Sequence, residues 1–538
     1  MVRKPRAPLI APPDRLRVGP FKEGTFTSRL HSPRSAALLG LALGVSFMIC
    51  FATGLLSHLI QQPPAWFIWP PRPAGLYRVT QSLHVATGIA SIPLLLAKLW
   101  TVYPRFWVWP PAKSTMHLVE RISLFPLVAG SLFLAFTGIA NIGLWYPWRF
   151  FFPAGHYWAS WITMGALIVH IGAKAGIVKR EAFTRDPARL QEYAGEGLSR
   201  RGFLGVIAAT AGALTITTVG QTFSPLNRLA LLAPRRPNVG PQGFPVNKSA
   251  LSARVTESAL MPSYQLRVTG RVERELSLSL DELRSLPQSE ATLPISCVEG
   301  WSANVSWRGV PLRDLLVMAG SDQGATVSVE SLQREGLYRA SEVNSSHARD
   351  PDTLLALECN GDELHIDHGF PLATDRAEPA GRDADQVGRR VDRPLNDSDR
   401  TVPSPRVFWC CAAIGWAVLV YGVAGLMVES DRTHPDQWIR WFAGSLIVHD
   451  FVVAPLVIAA GSLLAGRVRA PYRAAVQGAL IATGIVALTT WPFLRGYGLR
   501  SDNASVLPNN YALGLSVVVV AVWLVAAGVL LRAWRSTR

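Results

Sequence analysis

The stretch LPISCVEGWSANVSWRGVPLRDLL, residues 293–316, sets a single cysteine in a polar and aromatic neighbourhood. Cys297 follows a run that reads as a strand and precedes Trp301, Trp307 and Gly309. A lone cysteine is most often a small core hydrophobe; the other readings are a nucleophile or a soft metal ligand. No histidine lies nearby in sequence, which weakens the nucleophile. Around this stretch, alternation in YQLRVTGRV (264–272) and ATVSVESL (325–332) predicts strands. DELRSL (281–286) and PLRDLLVMAG (311–320) read as short helices, the second stopped by Gly320. The whole segment 223–405 has no long apolar run and is expected to be a strand-rich α+β domain.

The rest of the chain is different in kind. Of 538 residues, 49% are hydrophobic, and the mean hydropathy is positive, the balance of a membrane protein. Apolar runs of about 20 residues, the length that crosses a hydrocarbon core, occur near 36–60, 79–103, 122–145, 155–178, 203–221, 407–428, 441–465, 474–493 and 512–531. The net charge of +16 gathers in tails and short loops (Arg3, Lys4, Arg15; Lys174, Lys179, Arg180), which reads as positive-inside anchoring and not as a nucleic-acid surface. The five cysteines form no CxxC pair, so no disulfide framework or zinc site is indicated.

Histidines inside apolar spans are costly and therefore mark functional sites. With the basic N-terminus inside, His58, His84 and His156 share one depth near the outer end of the first, second and fourth spans. His170 follows His156 by fourteen positions, about 21 Å along the same helix face. Neutral imidazoles on facing helices suit the iron of a b-type haem, which needs no CxxCH motif. The pattern resembles the four-span cytochrome b subunits of membrane formate dehydrogenases and hydrogenases. That resemblance implies His84 with His156 at an outer haem b, His58 as an alternative ligand, and His170 at an inner one for which Lys98 occupies the partner's depth. One haem, or two, is the expectation.

After the fourth span, SRRGFLGVIAATAGALTI (199–216) resembles an internal twin-arginine export signal; an ordinary anchor with two positive-inside arginines is the other reading. Four spans return the chain to the cytoplasm, so the fifth delivers the α+β domain to the outside.

The Cys297 stretch resembles the sulfite-oxidase-like molybdopterin oxidoreductases, most closely the catalytic subunit of protein-methionine-sulfoxide reductase, through Cys297, Val298, Glu299, Trp301 and Ser302 followed by Trp307, Gly309, Pro311 and Leu312. The resemblance implies that Cys297 is the thiolate ligand of molybdenum, a role that suits soft sulfur. It also implies that Ser331, His368, Glu299 and Trp301 lie in the pterin region. Actinobacterial relatives resemble this chain in carrying the four-span cytochrome as well.

Past Leu372 the resemblance stops. Where the family continues Arg-Leu-Ile-Ala-Pro-Asn-Arg-Pro-Gly-Val, this chain runs from Ala373 to Gly388 in Ala, Arg, Asp and Gly. Back-translated with GC-rich codons and read one base forward, the segment becomes Arg-Leu-Ile-Ala-Pro-Asn-Arg-Pro-Gly-Val-Met-Gln-Thr-Lys-Trp. One extra nucleotide after Leu372 would account for this; a solvated linker is the alternative. A frame restored in this way makes 406–538 a neighbouring four-span protein, and it turns Arg467, Arg469, Arg473, Arg532 and Arg535 to the inside. In these last spans His449 and Asp450 are adjacent, and neighbours do not share a helix face, which predicts a packing or interface role.

The expected architecture is a multi-domain membrane protein: a cytoplasmic tail (1–34), an all-α four-helix cytochrome b (35–180), a loop with the fifth span (181–222), a truncated α+β molybdopterin domain (223–372), a junction (373–405) and an all-α transmembrane bundle (406–538). The expected activity is that of a plasma-membrane oxidoreductase exchanging electrons between a quinone pool or redox partner and an extracytoplasmic molybdenum site acting on a sulfoxide or sulfite-type substrate. A cytochrome with a non-catalytic outer domain, and a transporter or assembly protein, are the alternatives.

Overall fold

The computed structural model describes residues 26–536 except 27, 65, 184–197, 323, 335–338 and 376–404. Among them, nine helices are long and apolar enough to cross a membrane, as the apolar runs predict, and with the sheet-containing domain they fit a multi-domain membrane protein.

The first four helices, α1 (Pro33–Gln61), α2 (Leu76–Val102), α3 (Thr115–Ile142) and α4 (Phe152–Phe183), form a bundle in which α1 packs on α2 and α3 on α4. Ser32 caps α1 by accepting from the Ser35 amide, with Pro33 at the first helical position. α5 (Arg200–Val219) starts at a Ser199 cap and packs along α2. It leads into the sheet-containing domain.

That domain is α+β, as expected. β1 (Gln265–Val268) pairs with β2 (Leu276–Ser279), which runs into α6 (Leu280–Ser285) through a reciprocal Ser279–Glu282 capping box. The predicted strand 264–272 is cut short because Gly270 turns the chain at φ +103°. β3 (Ser289–Ser296) and β4 (Ser302–Pro311) are the arms of a hairpin whose turn carries Cys297. α7 (Leu312–Met318) follows, and Gly320 ends it at φ +68°. β5 (Val327–Glu330) pairs with β6 (Ala340–Val343) as a separate ribbon, while β7 (Leu354–Cys359) joins β4 and carries β8 (Asp362–Glu363) and β9 (Ala373–Asp375). At Gly309 the β4–β7 register shifts, and the Leu355 carbonyl lies where a Cβ would be. The predicted junction thus begins as three residues of strand; its residues 376–404 lie outside the described residues.

Four further helical spans follow. α8 (Pro405–Val428) lies antiparallel against α4, with Cys411 near Gly172 and Gly425 near Trp158. α9 (Pro435–Val448) packs on α3 and continues through a wide turn, His449–Val453, into α10 (Ala454–Arg467). α11 (Ala470–Leu494) packs on α5 and on α12 (Tyr511–Ser536). The wide turn has π-helical geometry, and the His449 Nδ1 lies 2.8 Å from the Asp450 carboxylate although the residues are adjacent.

Candidate functional site

Cys297 sits on the hairpin turn between β3 and β4, buried in a cluster with Phe244, Trp301, Trp307 and Cys359. Its amide donates to the Trp301 carbonyl at 3.0 Å, and the Gly300 amide donates back to the Cys297 carbonyl at 2.9 Å. Gly300 closes the turn at φ +84°. Burial beside the Glu299 carboxylate pushes the thiol well above its ordinary range, so a soft cation is what would hold it as thiolate.

Glu299 is buried against Arg235. The guanidinium Nε donates to its carboxylate at 2.9 Å, and Nη1 reaches the Val246 carbonyl and the Ser505 hydroxyl. Arg235 Nη2 is buried without a partner among the described residues, as are the Trp307 Nε1 and the His368 Nε2. His368 stacks on Phe244 at 3.7 Å between ring centroids, and Phe244 stands edge-on to Trp307. Orphaned buried donors and acceptors around a thiol are what an extended polar cofactor would satisfy, so these residues fit a molybdenum pterin. Ser331 does not join them: it is exposed at the end of β5, where its hydroxyl accepts from the Gln333 amide.

Membrane helices grip the Cys297 turn from below. Gln81, one turn before His84 on α2, donates to the Val298 carbonyl at 3.1 Å. Gln221 and Thr222, at the end of α5, donate to the Gly300 carbonyl at 3.3 and 2.8 Å. A Cβ on Gly300 would meet the Val85 side chain at 2.9 Å. Val298 itself lines a cavity that runs down between α1, α2, α3 and α4.

In that cavity the structure brings His84 and His156 together, their ring centroids 6.4 Å apart. Imidazole rings at that spacing would both reach one metal ion, each by a nitrogen at about 2 Å. Nδ1 of His84 lies 2.9 Å from the Cys50 carbonyl and Nδ1 of His156 lies 3.0 Å from the Thr137 hydroxyl, which leaves the two Nε2 atoms for a metal. Gly54, Gly88 and Gly138 line the walls, and at Gly54 a Cβ would run into the His84 ring. These residues fit a b-type haem. His58 lines the same cavity but stacks on Tyr157 at 3.7 Å. His170 is not among the lining residues, and its Nδ1 is buried without a partner. Only the outer pair is brought together.

Sequence reasoning missed Arg235, Gln81, Gln221 and Ser505. The two glutamines carried a signal, being polar residues at the ends of apolar runs that have no caps to make. Arg235 belongs to no motif that singles it out.

Residues 253–374 match the family model described as oxidoreductase molybdopterin binding domain. The sheet-containing domain is thus a molybdopterin oxidoreductase domain, related to sulfite oxidases and to protein-methionine-sulfoxide reductase. Among curated relatives, a provisionally named protein-methionine-sulfoxide reductase subunit, YedZ1, of Azospira oryzae is 33% identical over 28% of this chain and 56% of its own length. Sulfite oxidase of Arabidopsis thaliana is 32% identical over 21% of this chain and 37% of its own. The catalytic subunit MsrP of Xanthomonas campestris is 32% identical over 22% and 41%. The chain therefore spans about a third to a half of the curated relatives it matches. A solved structure, the sulfane dehydrogenase SoxCD of Paracoccus pantotrophus, aligns at 21% identity over 26% of this chain and 39% of that one with a TM-score of 0.20, too low to carry any argument about the fold.

Proposed function

We propose that the protein is a membrane-anchored molybdopterin oxidoreductase in which a haem b held by His84 and His156 exchanges electrons with a molybdenum site at Cys297, outside the cytoplasm, acting on a sulfoxide or sulfite-type substrate. The observation that carries this reading is Val298, which lines the histidine cavity while its neighbour Cys297 is the candidate metal ligand. When bound, the molybdenum cofactor supplies oxygen-atom transfer. The chain's own part is to provide the sulfur, to exclude water with Trp301, Trp307 and Phe244, and to hold the turn rigidly over the cavity through Gln81, Gln221 and Thr222. A quinone pool is the proposed electron partner, and the pair Arg200–Arg201 at the start of α5 the proposed export signal.

The family match ends at residue 374, which favours a second reading: as written, the chain lacks the rest of the pterin grip, and the outer domain is then a passive appendage on a cytochrome. The shifted frame after Leu372 reconciles the two, since it restores that grip.

The test is metal analysis with a reduced-minus-oxidised spectrum of the purified protein, compared with Cys297→Ser. Molybdenum that disappears in the variant, with a b-type α band in both, supports the oxidoreductase. An α band without molybdenum in either supports the cytochrome, and no α band removes both.

A further inference from the structure

The last four spans face the other way from what one continuous chain allows. α8 runs antiparallel to α4: Gly415 lies against Gly165, and Gly422 against Ile162, which is nearer the start of α4. α4 starts at the end of the bundle that carries the outer domain, so Pro405 lies at the opposite end. The same polarity holds for α11, whose Gln477 accepts from the Leu198 amide just before α5, and whose far end packs by Phe493 on Gly143 after α3. Arg467, Arg469, Arg473, Arg532 and Arg535 consequently gather at the end of the bundle where Arg200 and Lys98 lie, as the positive-inside tendency asks.

Strand β9, however, belongs to the outer domain. Residues 376–404 would have to carry the chain from there across the full height of the bundle, and their sequence is rich in Arg and Asp with no apolar run. Charged residues at the bilayer centre are costly even on the mildest scale, and unpaired backbone groups there add to the cost. A hydrophilic tether does not cross.

We propose that the residues from 405 onward are inserted as a separate four-span polypeptide and form the cognate subunit of the redox unit. The proposal extends the shifted-frame reading above. Its interface is specific at two levels. In the membrane, glycines let backbones touch: a Cβ on Gly415 would fall 2.5 Å from the Gly165 carbonyl oxygen, and one on Gly422 would fall 2.8 Å from the Ile162 nitrogen. Outside, the loop before α12 docks on residues 233–252. Asp502 accepts from Ser249 and Ser252, Asn503 donates to the Val246 carbonyl, the Leu507 amide donates to the Pro234 carbonyl, and Tyr511 donates to the Ala233 carbonyl. Ser505 accepts from Arg235, so the partner reaches the ion pair beside Cys297. A chance neighbour has no reason to satisfy buried backbone groups of the redox unit.

The experiment compares the uninterrupted chain with the same gene carrying a stop and a restart between codons 390 and 402, each with Asp322→Cys as the outer reporter, Arg535→Cys as the tail reporter and a C-terminal tag. In intact cells, a membrane-impermeant maleimide is expected to label Asp322→Cys in both forms. It should label the Arg535→Cys tail of the uninterrupted chain from outside, and that of the two-polypeptide form only after permeabilisation. The tag should then recover both polypeptides in equal amounts, and Gly415→Leu should reduce the recovered redox unit at least tenfold. A tail found inside in the uninterrupted chain, polypeptides that do not co-purify, or full recovery with Gly415→Leu would overturn the proposal. Resequencing codons 360–410 settles the frame independently, so an intact frame there and a failed interface are distinguishable.

Discussion

The guanidinium of Arg235 and the carboxylate of Glu299, two residues after Cys297, meet at 2.9 Å, both out of solvent. Burial raises the Glu299 carboxyl above its ordinary range, and Arg235 pulls it back. A buried pair of this kind is costly to break, because the survivor keeps its charge and loses its partner. Glu299→Gln is expected to lower stability by about 3–5 kcal/mol, read from denaturant unfolding of the purified protein. Glu299→Gln with Arg235→Met should recover much of the loss. If the single variant unfolds like the parent, the pair is not the anchor of the Cys297 turn.

The turn is fitted to α2 by Gly300 against Val85. Gly300→Ala faces both a positive φ and a side chain 2.9 Å away, and is expected to destabilise by roughly 1–3 kcal/mol. Only the steric part is relieved by Val85→Ala, so a double-mutant cycle should give a coupling of about 0.5 kcal/mol or more. A coupling of zero would mean that the turn does not rest on the helix.

The cavity makes an asymmetric prediction for the histidines. His84→Ala and His156→Ala should each abolish the b-type α band, because each removes one of two facing ligands. His58→Ala should keep it, since that ring is spent on Tyr157, and His170→Ala should keep it as well. Loss of the band in His170→Ala with survival in His84→Ala would move the haem to the inner half of the bundle.

Spans and the α+β domain were legible because their signals are local. Apolar length, alternation and a helix stop at Gly320 need no knowledge of neighbours. Depth alone set His58, His84 and His156 at one level, and the pairing of His84 with His156 was only what the resemblance to four-span cytochromes b implied. Arg235 was not, because its partners Glu299, Val246 and Ser505 come from three distant segments and only the fold assembles them. The contact between His449 and Asp450 was not legible, because a regular helix was assumed where the chain forms a wide turn at 449–453.

His368 gives a pH test. Burial, with His365 beside it, lowers its imidazole from 6.5 to about 4 in the folded domain. Between these values the unfolded chain binds more protons than the folded one, so stability rises with pH across the window. The contribution is complete above pH 6.5 and is lost as pH falls toward 4. Unfolding of the outer domain followed in denaturant at pH 7, 5.5 and 4.5 should show a progressive loss in the parent that is reduced in His368→Phe, which keeps the stack on Phe244 without a titrating group. An unchanged slope in the variant would place His368 in solvent, and with it the pterin-facing role of its orphaned Nε2 would fall.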